Sequence, residues 1–296
     1  MTYNAESTVW QTPTVDIQRA PDYSFLPTRR TCACAPERLN CLSRQELIEL
    51  GSTVIDGKVR YRWEEKHPAR FVPYVPEKFI KLFTHPGETV LDPFCGSGTT
   101  NVVALQLGRS SIGIDVNTRS AQMTYERLQN ASLHLFNGEH PRTHHRVIND
   151  SCLSAMAPIP PETIDLIVTS PPYFDVIDYE HEHPEQWGNI HNYPRFLERM
   201  EEAFKAMWRV LKPHGWLVVV TQDVFKGHAK CPIHADYILI CRDKIGFTVW
   251  STQIYILNYS TGGRLVYGYP TSYYPKNDHE YILIFRKEDA TNHALE

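Results

Sequence analysis

Apolar residues in this chain gather in short unbroken runs rather than in alternating ones. TVLDPF, SIGIDV, HRVIND, DLIVTS and WLVVVTQ follow one another between Thr89 and Gln222, with helical or loop-like stretches between them. Unbroken runs of this length predict strands buried on both faces of a parallel sheet. The clearest helix spans Asn192–Lys212, where Tyr193, Phe196, Leu197, Met200, Ala203, Phe204, Met207 and Leu211 recur at three-and-four spacing before Pro213. Two further strand-like runs, FTVWSTQIYIL and HEYILIFRK, suit a closing antiparallel pair. The pattern predicts a doubly wound α/β domain.

Upstream, PEKFIKLFTHPG predicts a helix begun at proline and stopped at Pro86-Gly87. LNCLSRQELIELG predicts a short helix stopped by Gly51, and VIDGKVRYRW a hairpin about Asp56-Gly57. Residues 1–66 therefore read as an N-terminal extension, 67–290 as the main domain and 291–296 as a tail.

Composition narrows the class. With 42% hydrophobic and 11% aromatic residues, the 296-residue chain can build a normal core. No apolar run approaches the roughly 20 residues that span a bilayer, and the first residues lack the pattern of a signal peptide. No membrane association is expected, and the cytoplasm is the expected location. The net charge of -4 argues against a nonspecific polyanion binder. Charge is uneven, however. Residues 205–287 hold eleven Lys and Arg against five Asp and Glu, and residues 150–200 hold two against nine. A local basic face is enough for phosphate contacts. Seven scattered cysteines give no disulfide framework. Cys32, Cys34 and Cys41 cluster in CACAPERLNC, but no fourth ligand stands nearby in sequence, so free thiols are expected there and no metal.

Two motifs carry the chemistry. The first, LDPFCGSGTT at Leu91–Thr100, joins a predicted strand to a helix. Gly96 and Gly98 permit a tight turn and close approach of a ligand to the main chain. A dinucleotide site would have a third glycine where Asn101 stands, and a phosphate-binding loop would have a lysine after it. A nucleoside cofactor without a pyrophosphate fits better. Asp115 and Asp150 end the next two predicted strands, placed to accept ribose hydroxyls and an adenine amine; each could instead cap a helix.

The second motif, TSPPYF, holds Ser170, Pro171, Pro172 and Tyr173. Prolines have no N–H, which leaves the Ser170 and Pro171 carbonyls free to accept hydrogen bonds. Two acceptors on an exocyclic base amine favour a tetrahedral nitrogen with its lone pair available, and Tyr173 offers a face on which an extruded base can stack. Catalysis would then rest on in-line positioning.

With both motifs in view, the chain resembles the amino-methyltransferases that act on DNA and use S-adenosylmethionine. Their motifs read D-P-F-x-G-S-G-T-T and [DNS]-P-P-[YFW], and the likeness covers roughly His67 to Lys287. It implies a Rossmann-like class I methyltransferase fold, a mostly parallel doubly wound sheet with an antiparallel C-terminal pair. It implies that Asp92, Phe94, Gly96, Gly98, Thr99 and Thr100 hold the methionine and sugar, Asp115 the ribose and Asp150 the adenine. HPARFVPYVPEKFIKLF, with Phe71, resembles the segment over the methionine end. Ser170, Pro171, Pro172 and Tyr173 would handle the target base. Serine at the first catalytic position is associated mainly with cytosine N4, aspartate with adenine N6.

The cofactor motif here precedes the catalytic one, as in a circularly permuted relative. The 68 residues between Thr100 and Thr169 leave no room for a target-recognition domain. Reading of double-stranded DNA is expected to fall to residues 1–66 or to loops 173–192, 223–233 and 260–276. In FDVIDYEHEHPEQW, Asp175 or Asp178 is expected near the target, with Tyr179 as a second aromatic, in a loop that closes over the flipped base. A restriction endonuclease is an expected partner. The alternatives are adenine N6 methylation and a catalytically silent DNA-binding subunit.

Overall fold

The computed structural model describes residues 14–18, 22–56, 72–134, 143–175, 185–226, 229–257 and 278–288. In chain order its strands are β1 (Thr14–Gln18), β2 (Val54–Asp56), β3 (Thr89–Asp92), β4 (Ser110–Ile114), β5 (His144–Ile148), β6 (Ile164–Thr169), β7 (Leu211–Thr221), β8 (Val224–Lys226), β9 (Ala229–Cys231), β10 (Thr248–Ile256) and β11 (His279–Arg286). Its helices are α1 (Arg44–Leu50), α2 (Tyr74–Phe83), α3 (Thr99–Gln106), α4 (Thr118–His134), α5 (Cys152–Met156), α6 (Tyr193–Val210) and α7 (Ile233–Leu239).

Nine strands form one sheet in the order β1-β5-β4-β3-β6-β7-β11-β10-β2. Its centre is parallel, and β11 runs antiparallel between β7 and β10. Strand residues alternate between two cores. Leu91, Ile167, Leu217, Val219, Leu283 and Phe285 face α5, α6 and α7. Val90, Leu166, Val168, Val218, Ile282 and Ile284 face the side that carries α2 and α3. Burial on both faces is why these strands are continuous apolar runs. The long helix keeps its predicted face, with Asn192 as its cap accepting from the Arg195 N–H. It ends at Val210, and β7 begins at Leu211, so Pro213 lies inside the strand.

The chain adds β4 and β5 on one side of β3, then crosses to place β6 on the other. That reversal is the topological switch point, where open α/β sheets bind ligands beyond the carboxyl ends of their strands. It falls between the strand that carries the first motif and the strand that carries the second.

The described parts of residues 1–66 are woven into this sheet. β1 pairs with β5 at one edge and β2 with β10 at the other, both parallel. The first arm of the expected hairpin is thus a strand bound to β10, and its second arm lies outside the described residues. The 223–233 loop contains the small β8–β9 pair.

Candidate active site

Because β3 and β6 are neighbours, their ends emerge side by side. Thr169 Oγ1 donates to Asp92 Oδ1 at 2.7 Å, and the Phe94 N–H donates to the same oxygen at 3.2 Å. Asp92 is 1% exposed. Burial pushes its carboxyl up to about 6, against the pull of these hydrogen bonds. One hydrogen bond therefore joins the two motifs directly.

The loop after β3 is gripped from behind by α4. Thr124 Oγ1 donates to the Gly96 carbonyl at 2.8 Å, and Arg127 donates to the Ser97 carbonyl. Gly98 is left-handed (φ 76°) at the start of α3, and a Cβ there would lie 2.5 Å from the Thr124 methyl. Its glycine is required for α3 to pack on α4. Thr99 and Thr100 are buried, Thr100 completely, while Phe94 and Gly96 remain partly open at the crest. Asn101, in place of a third glycine, fills the space over Gly113 of β4, where a Cβ would meet its amide at 2.8 Å. The glycine needed for close helix–strand approach has moved to the strand.

Asp115, just past β4, takes the Gly96 N–H on one oxygen and the Asn117 N–H on the other, both at 2.8 Å. Burial pushes its carboxyl up to about 6. Each carboxylate oxygen has two acceptor directions, so one on each is left for a further donor, an arrangement that fits a vicinal diol. Asn149 Nδ2 donates to the Asp115 and Val116 carbonyls at 3.0 and 3.2 Å, tying the ends of β4 and β5 together. Asp150 is partly exposed and accepts the Ser151 N–H at 2.7 Å. Beside it lies Tyr23, whose hydroxyl donates to the Ala155 carbonyl at 2.7 Å. Burial and the Asp150 charge push that hydroxyl's pKa up.

On the other side of the switch point, Pro171 is buried while Ser170, Pro172 and Tyr173 are partly exposed. Phe174 anchors the motif from beneath: it is 2% exposed and packs 5.0 Å from the Tyr193 ring and 5.4 Å from that of Phe196. Tyr173 Oη donates to Glu280 Oε1 at 2.5 Å. Glu280 lies on β11, and burial pushes its carboxyl up to about 7. Asp175 (φ 49°) is ion-paired with Lys226 and lies within hydrogen-bonding distance, 2.8 Å, of His191 Nδ1. Trp187 meets Phe94 edge-on at 5.7 Å, and the Arg199 guanidinium lies over Trp187 at 5.3 Å.

Asp92, Phe94, Gly96, Asp115 and Asp150 thus ring the carboxyl end of the sheet beside Ser170–Tyr173, while Gly98, Thr99 and Thr100 support the loop from within. Phe71, Asp178, Tyr179 and residues 260–276 lie outside the described residues. Glu280, Thr169, Thr124 and Asn149 escaped the sequence reading, since each acts through a partner on another strand or helix. The absence of a fourth ligand for CACAPERLNC is corrected: the fold brings His85 to it.

The core order β5-β4-β3-β6-β7-β11-β10, with β11 reversed, is that of a Rossmann-like class I methyltransferase. Residues 5–126 and 164–295 match the family model of the DNA methylases directed to N6 and N4, and the chain belongs to that family. It is 44% identical over 68 residues to the type II methyltransferase M2.DpnII of Streptococcus pneumoniae, which is 23% of this chain and 25% of the relative. It is 40% identical over 77 residues to the DNA adenine methyltransferase YhdJ of Escherichia coli K12, 25% of this chain and 26% of that one. The chain thus spans about a quarter of the length of these curated relatives. A Thermus thermophilus protein assigned as a DNA modification methylase, solved with S-adenosyl-L-methionine, is 31% identical. That match covers 46% of this chain and 52% of the other, with a TM-score of 0.35. No helix of the described residues is long and apolar enough to cross a membrane.

Proposed function

We propose that this chain is an S-adenosylmethionine-dependent methyltransferase that modifies the N4 amine of cytosine in double-stranded DNA. The observation that carries the reading is the Thr169–Asp92 hydrogen bond at the switch point, which sets a nucleoside-type loop and an S-P-P-Y edge into one site. When bound, S-adenosylmethionine supplies an electrophilic sulfonium methyl. Asp115 receives the ribose hydroxyls on its two remaining acceptor directions, and Asp150 receives the adenine amine. Phe94, braced by Trp187, and Gly96 face the methionine and sugar, and Phe71 belongs to the segment over the methionine end.

The Ser170 and Pro171 carbonyls accept the N–H bonds of the target amine, so that its lone pair becomes available. Tyr173 stacks on the extruded base. Glu280 holds the tyrosine hydroxyl, which limits rotation of that ring, and Phe174 fixes the backbone beneath it. These contacts orient the amine for in-line attack, the effect that makes a reaction between bound partners fast. The choice of cytosine rests on serine at position 170.

The test is nucleoside analysis of double-stranded DNA treated with the protein and labelled S-adenosylmethionine. Label in N4-methylcytosine is expected. Label in N6-methyladenine would transfer the assignment to adenine, and label confined to RNA or protein would remove the DNA substrate. Calorimetry with S-adenosylmethionine addresses the silent-subunit reading, which requires no cofactor binding. A restriction endonuclease of the same recognition sequence is the proposed partner, and the cytoplasm the proposed location.

A further inference from the structure

At the amino end of β3, opposite the end that carries the catalytic motifs, the sulfurs of Cys32, Cys34 and Cys41 and a ring nitrogen of His85 all lie within 4.8 Å of one another. His85 Nδ1 is 3.2 Å from Cys32 Sγ and 3.3 Å from Cys41 Sγ, and Cys34 Sγ is 3.4 Å from Cys41 Sγ. The other ring nitrogen, Nε2, sits 2.8 Å from the Arg38 carbonyl, which can only accept. The proton is therefore on Nε2, and the Nδ1 lone pair points at the thiols. An outward hydrogen bond of this kind is the usual device that orients a metal-binding imidazole.

Three thiolates and one neutral imidazole are a complete tetrahedral donor set for zinc. With Zn–S near 2.3 Å, tetrahedral sulfurs stand about 3.8 Å apart, so the cluster needs only slight expansion around an ion. The sequence hides the set, because Cys41 and His85 are 44 positions apart. Folding brings them together through contacts that do not involve the four ligands. The Thr31 N–H donates to the Pro86 carbonyl at 2.9 Å, Asn40 Nδ2 to the Leu82 carbonyl at 2.8 Å, and Arg30 pairs with Glu88 at 2.9 Å.

We propose that Cys32, Cys34, Cys41 and His85 bind one structural zinc ion. The ion clamps residues 29–41 onto the turn between α2 and β3. Its four positions are all taken by protein, which leaves none for a substrate. It also lies at the opposite end of β3 from Asp92, so its role is to hold the fold.

Metal analysis of the full chain, purified under reducing conditions without added metal, tests this. One zinc per chain is expected, released by a thiol-modifying reagent. Cobalt substituted for zinc should give the thiolate charge-transfer and ligand-field bands of a tetrahedral S₃N site. His85→Cys should keep the ion, while His85→Ala and Cys34→Ser should lose it and lower the melting temperature by more than about 5 °C. If those variants fail to fold, chelation of the wild-type protein supplies the same comparison. A metal-free protein with three reactive thiols, or a Cys34–Cys41 disulfide, would overturn the proposal. So would zinc that remains stoichiometric in folded Cys34→Ser and His85→Ala.

Discussion

The two ends of β3 are built on opposite terms. At the amino end nearly every polar group is answered by another part of the protein. Thr28 bonds to Thr89, Arg30 to Glu88 and Arg109 to Thr84, while the Thr89 N–H donates to Asp165, itself paired with Lys212. At the carboxyl end Asp92 and Asp115 are held by short hydrogen bonds, yet burial still raises both carboxyls to about 6. A raised carboxyl is a destabilised anion. For Asp92, a shift from 3.8 to about 6 corresponds to a cost on the order of 3 kcal/mol at neutral pH. Burial raises Asp165 at the amino end to about 6 as well, but there Lys212 and the Thr89 N–H answer its charge. Among the described residues no cation pairs with Asp92 or Asp115, which leaves their charge for a ligand.

The largest expected break in this comparison is Asp115→Ala. Hydrogen bonds to a charged group contribute about 1.5–3 kcal/mol, so the S-adenosylmethionine Kd should rise by roughly thirtyfold in calorimetry. The fold should survive; a protein that unfolds instead would make Asp115 a structural cap. Tyr173→Ala should next lower turnover by about 5- to 100-fold, because stacking contributes about 1–3 kcal/mol per base. Its cofactor Kd should stay within about twofold of wild type, and equal loss of both would make Tyr173 a core residue.

Acidification separates affinity from stability. Asp92 and Asp115 titrate higher in the folded chain than unfolded, so the folded state binds more protons between pH 3.8 and about 6. Their cost is fully present above pH 6 and is relieved as pH falls through that window. Between pH 7.5 and 5 cofactor affinity should therefore fall by about tenfold, while these two groups favour the folded apoprotein. A melting temperature that falls in step with affinity, with the cysteine cluster intact, would contradict this. The smallest effect on turnover is expected for Glu280→Gln, which keeps an acceptor for Tyr173. It removes a group raised from 4.5 to about 7 and should make the protein more stable at pH 8 than wild type, measured by urea denaturation.

How much of this was legible in the sequence depends on how far away each residue's partners are. The central strands β3–β7 and β11 were readable because burial on both faces leaves a largely apolar run, whereas β10, mostly half-exposed, was readable from its β-branched and aromatic residues. α6 was readable from the three-and-four spacing of its apolar residues, while its Asn192 cap and its end at Val210 came from the structure. The roles of β1 and β2 were not, since an edge strand's pairing partner lies elsewhere in the chain. The sequence marks Gly98 as a ligand-approach glycine; that a glycine there is also needed for α3 to pack on Thr124 is a contact that only the helix crossing creates.

The sequence by itself determined the chemistry on offer: a glycine turn with carboxylates at successive strand ends, and an S-P-P-Y edge with bare carbonyls and an aromatic face. These are local properties, set by residue type and by neighbours a few positions away. Tertiary structure decided everything that needs distant residues to meet. It set Thr169 against Asp92 across the switch point, gave Tyr173 a buried Glu280, and carried His85 to three cysteines more than forty residues earlier in the chain. Hydrogen bonds and metal ligation act over about 2–3 Å, and only the fold brings such residues within that range.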